Sequence, residues 1–155
     1  MKNSPLGSPI FRTDETPRPV ESQVEGFATV RNAHESEMAE DYVELIAELI
    51  ALRGEARLVD IAQRFGVKPP TVSKNLTRLQ RDGLVRRERY RSVFLTEPGQ
   101  KLADHCHARH RLVVSFLLEL DIPAEVAERD AEGIEHHVSD ETLEAFERFI
   151  ADRAK

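Results

Sequence analysis

One cysteine, Cys106, is all the thiol this chain has, so no internal disulfide can staple the fold. That agrees with a reducing cytosol, and the residue reads as buried helix packing rather than as a ligand or reactive thiol. Long apolar runs are missing too. The run over residues 112–118 falls far short of the roughly 20 residues a membrane span needs. The N-terminus shows no apolar stretch before a small-residue cleavage site, so no signal peptide is expected and the protein reads as cytoplasmic. No Glu is followed three residues later by His, which removes the four-helix di-iron carboxylate pattern. Nor does a Ser, Lys or Cys stand beside a base as a nucleophile. An enzyme is therefore not expected.

Charge is what the chain has in abundance, and it is unevenly placed. A net charge of −6, if spread evenly, would argue against nucleic acid. Residues 57–101, however, hold 11 basic and 4 acidic side chains, a net +7. Residues 14–50 carry −8 and residues 119–152 carry −10. A basic middle between acidic arms fits a DNA-reading face joined to a cation-binding body. Solvated helix surfaces are the plainer explanation for the acidic arms taken alone.

At 155 residues the chain can bury one core, or a small domain plus a dimerising extension. Residues 1–23, with Pro5, Pro9, Pro17 and Pro19, read as a flexible tail. Residues 24–101 read as a winged helix-turn-helix domain that includes a long first helix. Residues 102–155 read as a helical dimerisation and metal-binding domain. The first helix runs over 24–53 with a break expected at Ser36, an apolar stripe of Tyr42, Leu45, Ile46, Leu49 and Ile50, and Gly54 as its stop. A short helix over 58–65 ends at Gly66, and Pro69-Pro70 open the next. Residues 84–87 and 93–96 read as a two-stranded wing, and Thr96 as N-cap of a helix over 97–120. Two further helices are expected, one over 124–138 and one capped by Ser139 or Asp140. The fold class is mainly α, with one small two-stranded wing.

Helix, short turn, helix and wing make a winged helix-turn-helix. Its recognition helix is 69–81, with Val72, Leu76 and Leu79 inward and Asn75 and Arg81 among the outward residues. The residues expected at DNA are Lys68, Thr71, Ser73, Lys74, Thr77 and Arg78, together with Arg87, Arg89 and Arg91 of the wing. Winged helices also bind proteins, and this pattern does not separate the two uses.

Glu132, Glu135 and His136 are spaced i, i+3, i+4, so on a helix they share one face. Asp41 and Glu44 form a second carboxylate pair at i, i+3, and His110 interrupts an apolar stripe with Cys106, Val113 and Leu117. Singly, each has a bland explanation: a solvated acidic face, or a satisfied core histidine. Together they make a donor set for a divalent cation of intermediate hardness. Val113, Phe116 and Leu117 are expected at a dimer interface. They lie in an apolar stretch covering more than one helix face, and Leu143, Phe146, Phe149 and Ile150 add a second stripe.

Residues 40–50, 59–99, 109–117 and above all 129–139 (RDAEGIEHHVS) resemble the diphtheria-toxin-repressor family, in its manganese transport regulator (MntR) branch. The resemblance spans roughly residues 36–150. It implies a cytoplasmic homodimer that binds Mn(II), about two ions per protomer, and then grips palindromic operator DNA to repress metal-uptake genes. It also implies metal ligands at Asp41, Glu44, His110, Glu132, Glu135 and His136, with Glu132 and Glu135 bridging the ions. Iron-sensing relatives have Met at the position of Asp41 and Cys at that of Glu132, so the oxygen donors here favour manganese. His137 is expected next to the ligands or in solvent, and His34, His105 and His107 on helix surfaces. Two other readings remain at this stage. One is a winged-helix regulator answering an organic ligand, of the multiple-antibiotic-resistance type. The other is a di-metal carboxylate enzyme.

Overall fold

The computed structural model describes residues 19–88 and 92–153. Helix α1 (Val20–Arg53) is one unbroken rod of 34 residues, about 50 Å long. The break expected at Ser36 does not occur. Its hydroxyl donates to Glu40 Oε1 one turn on, at 3.1 Å, instead of capping a backbone N–H. Val20 to Gln23, read as tail, are helical; the rest of that tail, residues 1–18, lies outside the described residues. Gly54 ends the rod at φ 79°, a left-handed conformation that costs glycine least.

Then follow β1 (Ala56–Arg57), α2 (Leu58–Phe65), α3 (Pro69–Arg81), β2 (Val85–Arg87) and β3 (Ser92–Leu95). Both helices have the bounds the sequence predicts. The wing gains a strand, because β1 pairs antiparallel with β3, Ala56 facing Val93, to give the order β1-β3-β2. Tyr42, Ile46 and Leu49 of α1 meet Ile61 of α2, Val72, Leu76 and Leu79 of α3, and Val85 and Val93 of the sheet in one core. So α1 is the backbone of the winged helix-turn-helix module, not an appendage to it.

Helix α4 (Glu97–Glu119) opens with Thr96, whose hydroxyl accepts from Gly99 N at 3.2 Å and donates to Gly83 O. Gly99 is needed here, since a Cβ would stand 2.0 Å from the Leu84 carbonyl oxygen. Helices α5 (Ala124–Ile134) and α6 (Asp140–Arg153) complete the chain. Helix α5 stops four residues before its expected end, and Glu135–His137 wind as a 3-10 turn. Ser139 is the cap of α6, its Oγ accepting from Thr142 N at 3.3 Å. Val113, Val114, Ala131 and Leu143 form a second core, so α4 joins α1 on one side to α5 and α6 on the other.

Candidate metal centre

Side chains from four elements converge where α1 crosses α4. With Tyr42, Val43 and Ile46 buried, Asp41 and Glu44 stand on the α1 face turned to the dimerisation half. Helix α4 brings His110, α5 brings Glu132, and the 3-10 turn brings Glu135 and His136. Two trios result, each with ligand atoms within 4.8 Å of one another: Asp41, Glu44 and His136; and His110, Glu132 and Glu135. The six residues expected as ligands are thus brought together around one locus. They are partitioned differently from the single helix face the spacing implied. The chain tightens to 3-10 after Ile134, which aims His136 at α1 while Glu135 stays with His110.

Glu135 lies between the trios. Its Oε1 is 3.4 Å from His110 Nδ1 and 3.8 Å from His136 Nε2. The residue is 1% exposed, and its Oε2 is buried with no hydrogen-bond partner among the described residues. A buried carboxylate oxygen left unpaired is costly unless something positive meets it. Glu132 is more open, 3.9 Å from His110 Nδ1.

These groups shift one another's protonation. Burial, then the carboxylates of Glu135, Glu132 and Asp41, push Glu44 up to about 7, against the opposing effect of His136. Burial also raises Glu135. His136 is pushed up to about 10 by its contacts with Asp41 and Glu40, against its burial. Burial alone would lower His110, but the hydrogen bond to Glu128 and the charges of Glu135 and Glu132 outweigh it and raise its pKa. A site that holds protons this way, with four carboxylates on two imidazoles, fits a hard-to-intermediate divalent cation.

Sequence reasoning missed Glu40. It is 8% exposed and accepts from His136 Nδ1 at 2.7 Å, Arg109 Nη2 at 2.9 Å and Ser36 Oγ at 3.1 Å. Burial works to raise its pKa, yet these partners win and lower it. By engaging Nδ1, Glu40 turns Nε2 toward Asp41, 3.3 Å away. The available signal was a carboxylate three residues before Val43, on a buried stripe. Glu128 was missed too; it stands 3.0 Å from His110 Nε2. His107, read as helix surface, is half exposed but lies 3.5 Å from Glu44.

On the DNA-reading face Lys68, Thr71, Lys74, Thr77 and Arg87 are exposed, and Ser73 and Arg78 half-buried. Thr77 donates to the Ser73 carbonyl within α3. Asn75, read as outward, is instead tied to the Tyr42 hydroxyl at 3.0 Å. Arg78 is paired with Glu35 of α1 at 2.7 Å. Arg89 and Arg91 lie outside the described residues. Of the residues expected at the dimer interface, Val113 has no exposed surface and packs the protomer's own core. Phe116 and Leu117 are half-buried, Phe116 stacking on Phe146 at 3.8 Å. Cys106 is buried, as expected.

Comparison with known proteins bears on both halves. The family described as iron dependent repressor, N-terminal DNA binding domain, matches residues 34–93. Its companion, iron dependent repressor, metal binding and dimerisation domain, matches residues 96–155. The chain is 55% identical to the transcriptional regulator MntR of Escherichia coli O6:H1 over 130 residues, 84% of each chain. Among solved structures it is similar to the manganese regulator SloR, with TM-score 0.63 and 32% identity over 73% of this chain. A manganese-dependent transcriptional repressor solved in complex with manganese aligns with TM-score 0.64 and 30% identity over 73% of this chain. The chain spans about half the length of those two, 53% and 52% respectively.

Proposed function

This chain belongs to the iron-dependent repressor family, and from that we propose a manganese-activated transcriptional repressor whose six-residue cluster switches operator affinity. It is a metal-binding, DNA-binding regulator and not an enzyme. Among the described residues no helix is long and apolar enough to cross a membrane. The dimerisation-domain match supports a homodimer, and we place it in the cytoplasm, where a DNA-binding regulator meets its DNA.

The observation that carries the reading is Glu135: a carboxylate buried between two imidazoles, with one oxygen unpartnered, at the junction of both trios. Asp41, Glu44 and His136 would hold one ion and His110, Glu132 and Glu135 the other, two per protomer. Manganese(II) bound there would supply the positive charge that lets the four carboxylates ionise side by side. With protons in place of metal, the raised pKa of His136 lets it pair with Glu40 and Asp41 across the junction, and Glu44 is held near neutral. An ion in each trio would replace those protons and fix α1 against α4 and the 3-10 turn. Since α1 shares its core with α2 and α3, holding α1 sets where the recognition helix sits. In a two-fold dimer two such helices must lie about 34 Å apart to enter successive major grooves, so small displacements of α1 decide binding to palindromic operators. Control of metal-uptake genes follows as the use of such a switch. An organic-ligand regulator has no need of this carboxylate cluster.

Titrating metal-free protein with Mn(II), with free ion followed by electron paramagnetic resonance, tests this. Saturable loss of about two ions per protomer is expected, much weakened in Glu135→Ala. Absence of saturable uptake by the wild type would sink the metal switch while leaving the DNA-reading module intact.

A further inference from the structure

One turn and more toward the N-terminus of α1 from Asp41, a second set of donors bridges the same two elements without sharing a residue with the six-residue cluster. Glu37 Oε2 stands 3.2 Å from His34 Nδ1 and 3.6 Å from His137 Nε2. His34 and Glu37 are one turn apart on α1, and His137 is the last residue of the 3-10 turn. The two imidazoles meet edge to face, ring centroids 6.3 Å apart at 83°, with the carboxylate oxygen near both. We propose that His34, Glu37 and His137 form a further divalent-cation site, suited to a late first-row ion such as zinc(II).

The donor chemistry sets this site apart from its neighbour. The six-residue cluster offers four carboxylates to two imidazoles. This one offers two imidazoles to a single carboxylate, the ratio that suits zinc and its neighbours and disfavours manganese. Access differs as well. The His34 side chain is 66% exposed, that of His137 46% and that of Glu37 29%, so ions reach it from solvent and water completes the coordination. His136 belongs to the main cluster while His137, with its ring centroid 6.5 Å away, meets the same face of α1 one turn nearer its N-terminus, at Glu37. Consecutive residues of one turn thus serve two sites. Both sites tie α1 to the dimerisation half, so an ion at the second reinforces the hold that manganese exerts at the first.

Equilibrium dialysis of the full chain against zinc(II), counting bound zinc per protomer, decides the matter. His34→Gln, Glu37→Gln and His137→Gln should each bind one zinc fewer than wild type. His34→Gln, remote from the main cluster and on an exposed surface, should titrate with Mn(II) as the wild type does. Equal zinc counts in wild type and His34→Gln would overturn the site and leave a hydrogen-bonded trio. A His34→Gln protein that has also lost Mn(II) uptake would overturn it equally, because His34 would then act through the main cluster.

Discussion

Protons and metal compete for the same side chains at this centre. The proposed coordination would need Glu44 ionised and His136 neutral at Nε2, whereas without metal burial holds Glu44 at about 7 and its contacts with Asp41 and Glu40 hold His136 at about 10. Binding must therefore release protons, so Mn(II) affinity rises with pH. Between pH 7 and 10 the His136 proton is displaced; below 7 the Glu44 proton is displaced as well. The expected slope is about tenfold per pH unit for each proton released, steeper below pH 7 than above it. Mn(II) titrations at pH 6 and pH 8 check this, and equal affinities would refute it. Glu40 makes a second prediction at this scale. Glu40→Gln keeps the side-chain size but removes the charge that orients His136, and should weaken metal affinity about 10- to 100-fold without removing a ligand. An unchanged binding isotherm would show that His136 is held by its packing alone.

Helix α1 is the element on which both halves depend. Tyr42, Ile46 and Leu49 anchor it in the DNA-reading core, while Glu40, Asp41 and Glu44 face the metal centre from the same stretch. Farther toward its N-terminus, Glu35 reaches the recognition helix and pairs with Arg78. Both side chains are substantially exposed, so the pair adds little to stability. Its effect falls on DNA binding, because a guanidinium engaged by Glu35 is withdrawn from phosphate. Glu35→Gln should raise DNA affinity severalfold and steepen its salt dependence by about one counterion. Binding to a DNA duplex measured over a range of salt concentrations would test it; identical slopes in wild type and variant would mean that Arg78 does not contact the backbone.

At the scale of the whole molecule, opposite charges are segregated along the chain. The +7 segment lies mostly in the DNA-binding half, and the acidic arms that flank it hold five of the six residues proposed as metal ligands, His110 being the exception. We propose that assembly rests on apolar surface that one protomer leaves uncovered. Val113 is spent on the internal core, whereas Leu117 is half-buried and Leu118 is 43% exposed near the end of α4. Leu117→Glu should shift the protein from dimer to monomer and abolish high-affinity operator binding, as light scattering after size exclusion would report. A soluble dimer would move the interface elsewhere on the domain.

Local signals carried much of the architecture. Gly54 and Gly66 stop helices, Pro69-Pro70 start one and Thr96 caps another, each through its own backbone chemistry, so the bounds of α2 and α3 are legible residue by residue. The six donors are legible too, as residue types at helical spacing. Contacts between distant segments decided the rest. Strand β1 is two residues long and exists because Ala56 meets Val93. Ser36 does not cap, because Glu40 takes its hydroxyl, and Glu40 is buried because Arg109 and His136 come to it from far along the chain. The division of the ligands into two trios depends on where α5 tightens against α1 and α4. Spacing sets which side chains share a face; only packing across the chain sets what that face meets.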